Sequence, residues 1–436
     1  MELRTSEIAK ATGGARSGPD VAVSGATIDS RQVAGEPLFV PVVAARDGHD
    51  FVHSAVAAGA PAYLTSRGPV LGLDATAVEV ADTVAALAAL GRHARGRLPD
   101  RVIGITGSVG KTSVKDLLAV VLAARWRTSA SVGSFNNELG VPLTLVNAPG
   151  GTEALVVEMG ARGPGHIARL CALASPTVGV VTRVAAAHTE MFGTLGEVAA
   201  AKGELVKALP ATGTAVLNAA DAWVAAMASR TPAAVVSFGE GGDVRAESVE
   251  LDDELRPSFR LASPWGAAPV RLGVRGEHMV DNALAAAAAA LVCQVPLADV
   301  AGALGAAVLS RWRMDLVRLP SGALVVNDAY NANPTSMVAA LRALVRLPAR
   351  RHLAVLGLMA ELGPSSDAEH RAVGALAREL GVELIGVGVG VAAYGGTTVT
   401  GIDQVPDALG PLAEGDAVLL KGSRVAGLER LVDLLG

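Results

Sequence analysis

The stretch Gly104 to Asp116, GITGSVGKTSVKD, constrains this chain more than any other. A β-branched apolar run, VIGIT, leads into Gly107-Ser108-Val109-Gly110-Lys111-Thr112 and then into a segment of helical period. A strand that delivers glycines to the start of a helix is the layout of a phosphate cradle. Glycines turn backbone N–H groups toward an anion, the helix N-terminus adds partial positive charge, and the lysine reaches the terminal phosphates. The hydroxyl of Thr112 is suited to ligate magnesium. The spacing departs from the strict Walker pattern, which wants glycine where Ile105 stands. A glycine-rich strand-to-helix turn with a chance Gly-Lys-Thr is the plainer reading, but it leaves the strand and helix context unexplained. Binding of a nucleoside triphosphate by Gly107, Ser108, Gly110, Lys111, Thr112 and Ser113 is the expectation.

The rest of the chain is organised around this unit. After Val102, apolar strands (ALVVEMG, VGVVT, TAVLN) alternate with helical segments such as Lys111 to Ala124 and Leu195 to Ala208, which predicts a parallel, doubly wound sheet. The habit restarts in the last part of the chain with GALVVNDAY, RHLAVLGLM, VELIGVGVG and DAVLLKGS. The first hundred residues read differently, as short strands (GATIDSR, PLFVPVV) among alanine-rich helices. At 436 residues the chain exceeds one ordinary core. We expect an α/β protein of three domains: a mixed domain over 1–98, a central doubly wound P-loop domain over 99–309, and a Rossmann-like α/β domain over 310–436.

Charge and composition exclude several classes. A net charge of −5 with no basic cluster gives no field for a nucleic-acid backbone, so nucleic acid is not an expected partner. The longest apolar run, eleven residues from Ala283 to Cys293, is too short to span a bilayer. The opening MELRTSEIAK lacks the apolar core of a secretory signal, so a soluble, cytoplasmic protein without membrane insertion is expected. Cys171 and Cys293 lie far apart in apolar contexts and read as buried packing residues.

Further motifs sharpen the reading. The loop TGSVGKTS stands with SFNNELGVPLTL (Ser134 to Leu145), EMGARGPGHI (Glu158 to Ile167) and AAHTEMFGTLGEVAAAKGEL (Ala186 to Leu205). It also stands with NDAYNANPTSM (Asn327 to Met337), AELGPSSDAEHRAVG (Ala360 to Gly374) and LLKGSRVAGLE (Leu419 to Glu429). Together they resemble the Mur ligase family across all three predicted domains. YNANP and KGSR are similar to the member that acts at the final cytoplasmic step. The resemblance implies an ATP-dependent ligation of D-alanyl-D-alanine to a UDP-muramyl-tripeptide through an acyl phosphate, with two Mg2+ ions, by a monomer. A Mur-type paralogue coupling another amine, a ligase like folylpolyglutamate synthase and a non-catalytic ATP-binding module are the alternatives.

The resemblance carries roles onto positions of this sequence. Lys111, His188 and Lys202 would be the catalytic set, with Lys111 on the γ-phosphate. Thr112 and Glu158 would ligate one magnesium, His188 and Lys202 a second, and Lys202 would be carbamylated. Asn137 would lie near the phosphates, Asn282 would recognise adenine, and Arg313 and Asp328 would reach the nucleotide from the third domain. Asn331 and Asn333 would face the dipeptide, and Lys421 and Ser423 the acceptor carboxylate or phosphate. Ser30, Arg31, Asp47, Gly48 and His49 match the segment that binds the UDP-sugar. Residue by residue, plainer readings exist. Glu158 could be a strand-end carboxylate, His188 an ordinary hydrogen-bonded histidine, and Lys202 a solvated helix lysine. Asn136 and Asn137 could cap a helix, and Asn331 and Asn333 could form the turn before Pro334. The sequence departs from the family pattern at Met279, where asparagine is usual, at Leu358, where aspartate is common, and at Val425, where serine is common. These departures leave the acceptor open.

Overall fold

The computed structural model describes residues 1–185 and 193–436. Its centre is a six-stranded, all-parallel sheet in the order Ala234–Phe238, Thr214–Asn218, Val178–Val181, Val102–Thr106, Ala154–Glu158, Thr128–Ala130. Strands buried on both faces need continuous apolar runs, and VIGIT, ALVVE and VGVV are wholly buried. The first strand of this series, Val102–Thr106, lies between the third and the fourth, so the chain's direction of winding reverses beside it. In open α/β sheets ligands bind at that reversal, outside the carboxyl ends of the strands.

Two helices close the sheet over this edge. Lys111–Ala123 follows the glycine loop, and Met279–Val292 packs against it. The second helix buries Ala285 to Ala290 completely. Alanine has the highest helix propensity and the smallest side chain that keeps it, which allows the two helices and the sheet to approach closely. Strands Arg245–Leu251, Pro257–Ser263 and Gly266–Arg271 form a separate antiparallel sheet, an element the alternation of strands and helices did not announce.

Ahead of this unit lies a small mixed lobe. Five of its strands form one sheet in the order Ala15–Ser17, Thr76–Glu79, Ala62–Thr65, Leu38–Phe39, Ala26–Thr27, with only the first antiparallel to its neighbour, and Glu2–Arg4 pairs with Ala22–Ser24 apart from it. Helix Thr83–Arg95 begins at Asp82, whose carboxylate accepts from the Val84 and Ala85 amides, and packs on the central unit. After the central unit comes a second six-stranded sheet, Asp315–Arg318, Leu324–Asn327, Asp416–Lys421, Arg351–Gly357, Glu383–Val387, Thr397–Val399, parallel except at its first strand. Both cysteines are buried, and burial pushes the Cys171 thiol up to about 12 and the Cys293 thiol up to about 11. Among the described residues no helix is long and apolar enough to cross a membrane.

Candidate active site

The glycine loop has the shape its sequence requires. Gly107 sits at φ +148°, and a Cβ there would meet Thr182 Oγ1 at 1.9 Å. Gly110 sits at φ +85°, where a Cβ would meet Asn282 Oδ1 at 2.4 Å. Glycine is therefore demanded twice, by backbone conformation and by close approach. The strand end Thr182 to Ala185 holds the loop from the side. Thr182 Oγ1 donates to the Val109 carbonyl at 2.5 Å, the Ser108 amide donates to the Arg183 carbonyl at 2.7 Å, and Ser108 Oγ donates to the Ala185 carbonyl at 3.0 Å.

Lys111 folds back over the loop, its Nζ donating to the Gly107 carbonyl at 2.8 Å and the Ser108 carbonyl at 3.3 Å. Burial lowers its pKa, Glu158 opposes that by its charge, Arg313 adds to it, and Glu361 opposes it. Glu158 ends its strand wholly buried. Its Oε1 accepts from Asn136 Nδ2 at 2.7 Å, while Oε2 is buried with no hydrogen-bond partner among the described residues. A buried carboxylate oxygen without a donor suits a cation site. Among the described residues no group of three or more His, Cys, Asp or Glu gathers. A hard ion at Thr112 and Glu158 would thus draw its remaining oxygens from phosphates and water, as magnesium commonly does.

Lys202 lies on helix Leu195–Lys207, which opens with a capping box between Thr194 and Glu197. The helix turns Lys202 inward, where it is 2% exposed. Burial first and the charge of Lys111 second push its pKa down to about 7, against the pull of Glu204. The unfolded chain, with a lysine near its ordinary 10.5, holds more protons than the folded chain between these values. Stability should therefore rise with pH from about 7 toward about 10.5, the penalty being fully present below that window. In bicarbonate-free and magnesium-free buffer, Lys202→Met should remove this rise. Urea midpoints near pH 7 and near pH 10 check it, and an identical slope in both proteins would contradict the burial account.

A single cavity of about 700 Å³ gathers most of the candidate residues. From the central unit it takes Ser108, Gly110, Lys111, Thr112, Ser113, Asn137, Glu158, Lys202 and Asn282. From the C-terminal lobe it takes Arg313, Asp328, Asn331, Asn333, Lys421 and Ser423. Several of these also serve their neighbours. Asn137 Oδ1 accepts from the Gly140 amide at 2.9 Å, so its side chain caps a turn, while Asn136 is the one bonded to Glu158. Asn333 caps helix Pro334–Leu344 through the Ser336 amide, and Asn331 Oδ1 accepts from the Ala332 amide. Lys421 Nζ pairs with Asp328 Oδ2 at 2.5 Å and donates to the Asn331 carbonyl at 3.0 Å. Ser423 Oγ accepts from the Ala360 amide at 2.9 Å. Asn282 Nδ2 faces Met279 Sδ at 3.3 Å.

Two lobes meet over the cavity through a pair of residues the sequence did not single out: Tyr330 OH donates to Ser134 Oγ at 2.5 Å. Within the C-terminal lobe the Arg313 guanidinium stacks 4.3 Å above the Tyr330 ring. His278, Asp281 and Glu361 also line the cavity. His188 lies outside the described residues. The first-lobe candidates lie away from this cavity. Asp47 accepts from the His49 amide at 2.8 Å and from its Nδ1 at 2.6 Å, and pairs with Arg67. Gly48 has no room for a Cβ, which would meet the Val42 amide nitrogen at 2.4 Å. Arg31 pairs with Asp29 at 2.8 Å, and Ser30 beside it is half-buried.

A P-loop unit whose cavity is completed by a second α/β lobe, with a small mixed lobe ahead of both, defines the architecture of a three-lobed, nucleotide-using ligase. The chain belongs to the Mur ligase family: the Mur ligase middle domain matches residues 105–290, and the Mur ligase glutamate ligase domain matches residues 312–424. It is 42% identical over 500 aligned positions to the UDP-N-acetylmuramoyl-tripeptide–D-alanyl-D-alanine ligase of Mycobacterium bovis, covering 100% of this chain and 98% of the relative. The crystal structure of MurF from Acinetobacter baumannii superposes with a TM-score of 0.89 at 30% identity, covering 100% of this chain and 99% of that one. MurF ligase from Thermotoga maritima in complex with ADP superposes at 0.79 with 28% identity, covering 95% of this chain and 97% of that one.

Proposed function

We propose that this chain joins D-alanyl-D-alanine to UDP-N-acetylmuramoyl-tripeptide at the expense of ATP. The observation that carries the reading is the shared cavity: the phosphate loop, Glu158 and Lys202 stand on one side and the C-terminal lobe's polar residues on the other. The full-length similarity to ligases of that name supports the choice of substrates. A carboxylate oxygen is a poor leaving group, so the tripeptide carboxylate takes the γ-phosphoryl group, giving an acyl phosphate and ADP. The dipeptide amine then attacks the acyl carbon, releasing phosphate and a proton. Reactions of this class depend on positioning and charge neutralisation.

In this reading residues 1–98 hold the UDP-sugar end, 99–309 the ATP, and 310–436 the dipeptide. Lys111 holds the γ-phosphate, and Gly107, Ser108, Gly110 and Ser113 present the loop. Thr112 and Glu158 would hold one Mg2+, and Lys202 with His188 a second; such ions neutralise phosphate charge. The lowered pKa of Lys202 fits carbamylation, because only the neutral amine adds CO2, losing a proton to leave a carbamate anion. Asn282 would face adenine, and Arg313 and Asp328 the nucleotide. The enzyme would work as a cytoplasmic monomer in peptidoglycan precursor synthesis.

The test is mass analysis of the product from UDP-muramyl-tripeptide, D-alanyl-D-alanine and ATP. One amide product per ADP and phosphate is expected. ATP consumption without that product, or equal transfer to unrelated amines, would defeat the proposal.

A further inference from the structure

Between helix Leu297–Ala306 of the central unit and strand Asp315–Arg318 of the C-terminal lobe, the chain runs through Ser310-Arg311-Trp312-Arg313-Met314. Carboxylates hold this passage at alternate amides. The Ser310 amide donates to Asp116 Oδ2 at 2.8 Å, the Trp312 amide to Asp315 Oδ2 at 2.5 Å, and the Met314 amide to Asp328 Oδ1 at 3.3 Å. Trp312 and Met314 lie in the left-handed region at φ +63° and +55°, a conformation that large side chains keep only where surrounding contacts over-determine it. Such contacts are present: the Arg424 guanidinium lies 4.3 Å over the Trp312 ring, and Met314 is buried. Between the two strained residues stands Arg313, which lines the interlobe cavity. The passage is a fixed bracket for that guanidinium rather than a slack tether.

Of the three carboxylates, Asp315 and Asp328 belong to the C-terminal lobe and Asp116 to the central unit. Asp116 stands on helix Lys111–Ala123, which the phosphate loop opens. Its other oxygen is committed as well, since Oδ1 pairs with Lys115 Nζ at 2.8 Å. Lys115 is buried, and its ammonium also donates to the Ser131 and Gly133 carbonyls, both at 2.9 Å. Three acceptors thus match the three donors of the ammonium. Gly133 precedes Ser134, whose hydroxyl accepts from Tyr330 OH, and Tyr330 is the ring under Arg313. One ion pair on the phosphate-loop helix therefore reaches Arg313 along two routes, through the backbone that carries it and through the ring it stacks on.

We propose that Asp116 is a positioning residue: it ties the passage at Ser310 to the phosphate-loop helix and so fixes where Arg313 meets the nucleotide. The inference rests on the reading of Arg313 as a nucleotide-facing residue and adds to it the group that sets its place. Asp116 does not line the cavity, so its effect passes through another residue. A guanidinium binds through a rigid fork of donors, and a misplacement of about 1 Å is enough to spoil such an arrangement.

The experiment measures the ATP dissociation constant and kcat for Asp116→Ala, Ser310→Pro, Arg313→Met, and Arg313→Met combined with each of the first two. Asp116→Ala should raise the Kd for ATP and lower kcat about ten-fold each, the lower end for a lost hydrogen bond to a charged group. The KM for UDP-muramyl-tripeptide should stay unchanged. Ser310→Pro deletes the donor and leaves Asp116 its pairing with Lys115; it should give the same losses, which keeps the test decisive if Asp116→Ala folds poorly. Arg313→Met should weaken ATP at least as much. In that background neither other change should cost more than about two-fold, because residues acting through one contact are not additive. Losses of equal size with and without Arg313 would make the contact merely structural and overturn the assignment, as would an unchanged ATP Kd in Arg313→Met. Should the Kd values follow the expected pattern while wild type forms no product from the three substrates, the ligase reading falls and the role of Asp116 stands.

Discussion

Replacing Lys111 by methionine is expected to lower kcat at least about a thousand-fold, the scale on which a preorganised cation acts on a transferring phosphoryl group. The same change should leave the nucleotide-free protein at least as stable as wild type. Lys111 Nζ is held by two carbonyls of its own loop, and burial lowers its pKa, which means that folding disfavours its charge. Methionine keeps the length and apolar body of the side chain without that penalty. ATP stabilises whatever state binds it, by an amount that grows with concentration over Kd, so the variant should also lose most of the upward shift in Tm that ATP gives wild type. The assays are steady-state product formation and melting with and without ATP. A variant that stays active would remove Lys111 from the chemistry. One that melts well below wild type would make it a structural residue of the loop.

How far the site was legible depended on the distance over which each residue acts. The phosphate loop was readable because its signals are local: strand, glycines, lysine and helix follow one another within Gly104 to Asp116, and φ +85° at Gly110 is a property of that segment alone. Glu158 was readable as the end of an apolar strand, for the same reason. Thr182 was not singled out. It acts by filling the space that Gly107 leaves empty, a relation between positions remote in sequence that only sheet order reveals. The pair Asn136 and Asn137 shows a finer limit. The resemblance placed only the second near the phosphates, with a helix cap as the plainer reading of both, but the turn before Gly140 commits Asn137 to an amide and aims Asn136 at Glu158. Chain direction at one residue decided which asparagine faces the carboxylate, and no periodicity carries that information.

Residues of the C-terminal lobe were legible as a group and less so as individuals. Asp328, Asn331, Asn333, Lys421 and Ser423 do line the cavity, yet each also bonds within its own lobe. The plainer readings of Asn333 as a helix cap and the functional reading of its position are both compatible with these contacts. Glu361 also lines the cavity and was not singled out although its motif was noticed. In the fold, the parallel sheets followed from buried apolar runs. The antiparallel sheet of Arg245–Leu251, Pro257–Ser263 and Gly266–Arg271 did not, since its strands carry many exposed polar residues and present no such run.

Glu158→Gln should separate cation binding from architecture at the other side of the loop. Glutamine keeps an oxygen for Asn136 Nδ2, so the 2.7 Å contact can persist, and it removes the charge from an oxygen that has no donor among the described residues. A buried group left without its partner costs about 1–3 kcal/mol, more when it is charged, and an unpaired neutral amide is the cheaper of the two. The variant should therefore melt at or above the wild-type temperature in magnesium-free buffer. Activity should fall about a hundred- to a thousand-fold, as when one stabilising group is taken from a developing anion, and the magnesium concentration for half-maximal rate should rise. The two readouts oppose each other only if Glu158 is maintained against its own burial cost for the sake of an ion. Were it a strand-end carboxylate serving the sheet, the substitution would lower Tm and leave the magnesium dependence where it was.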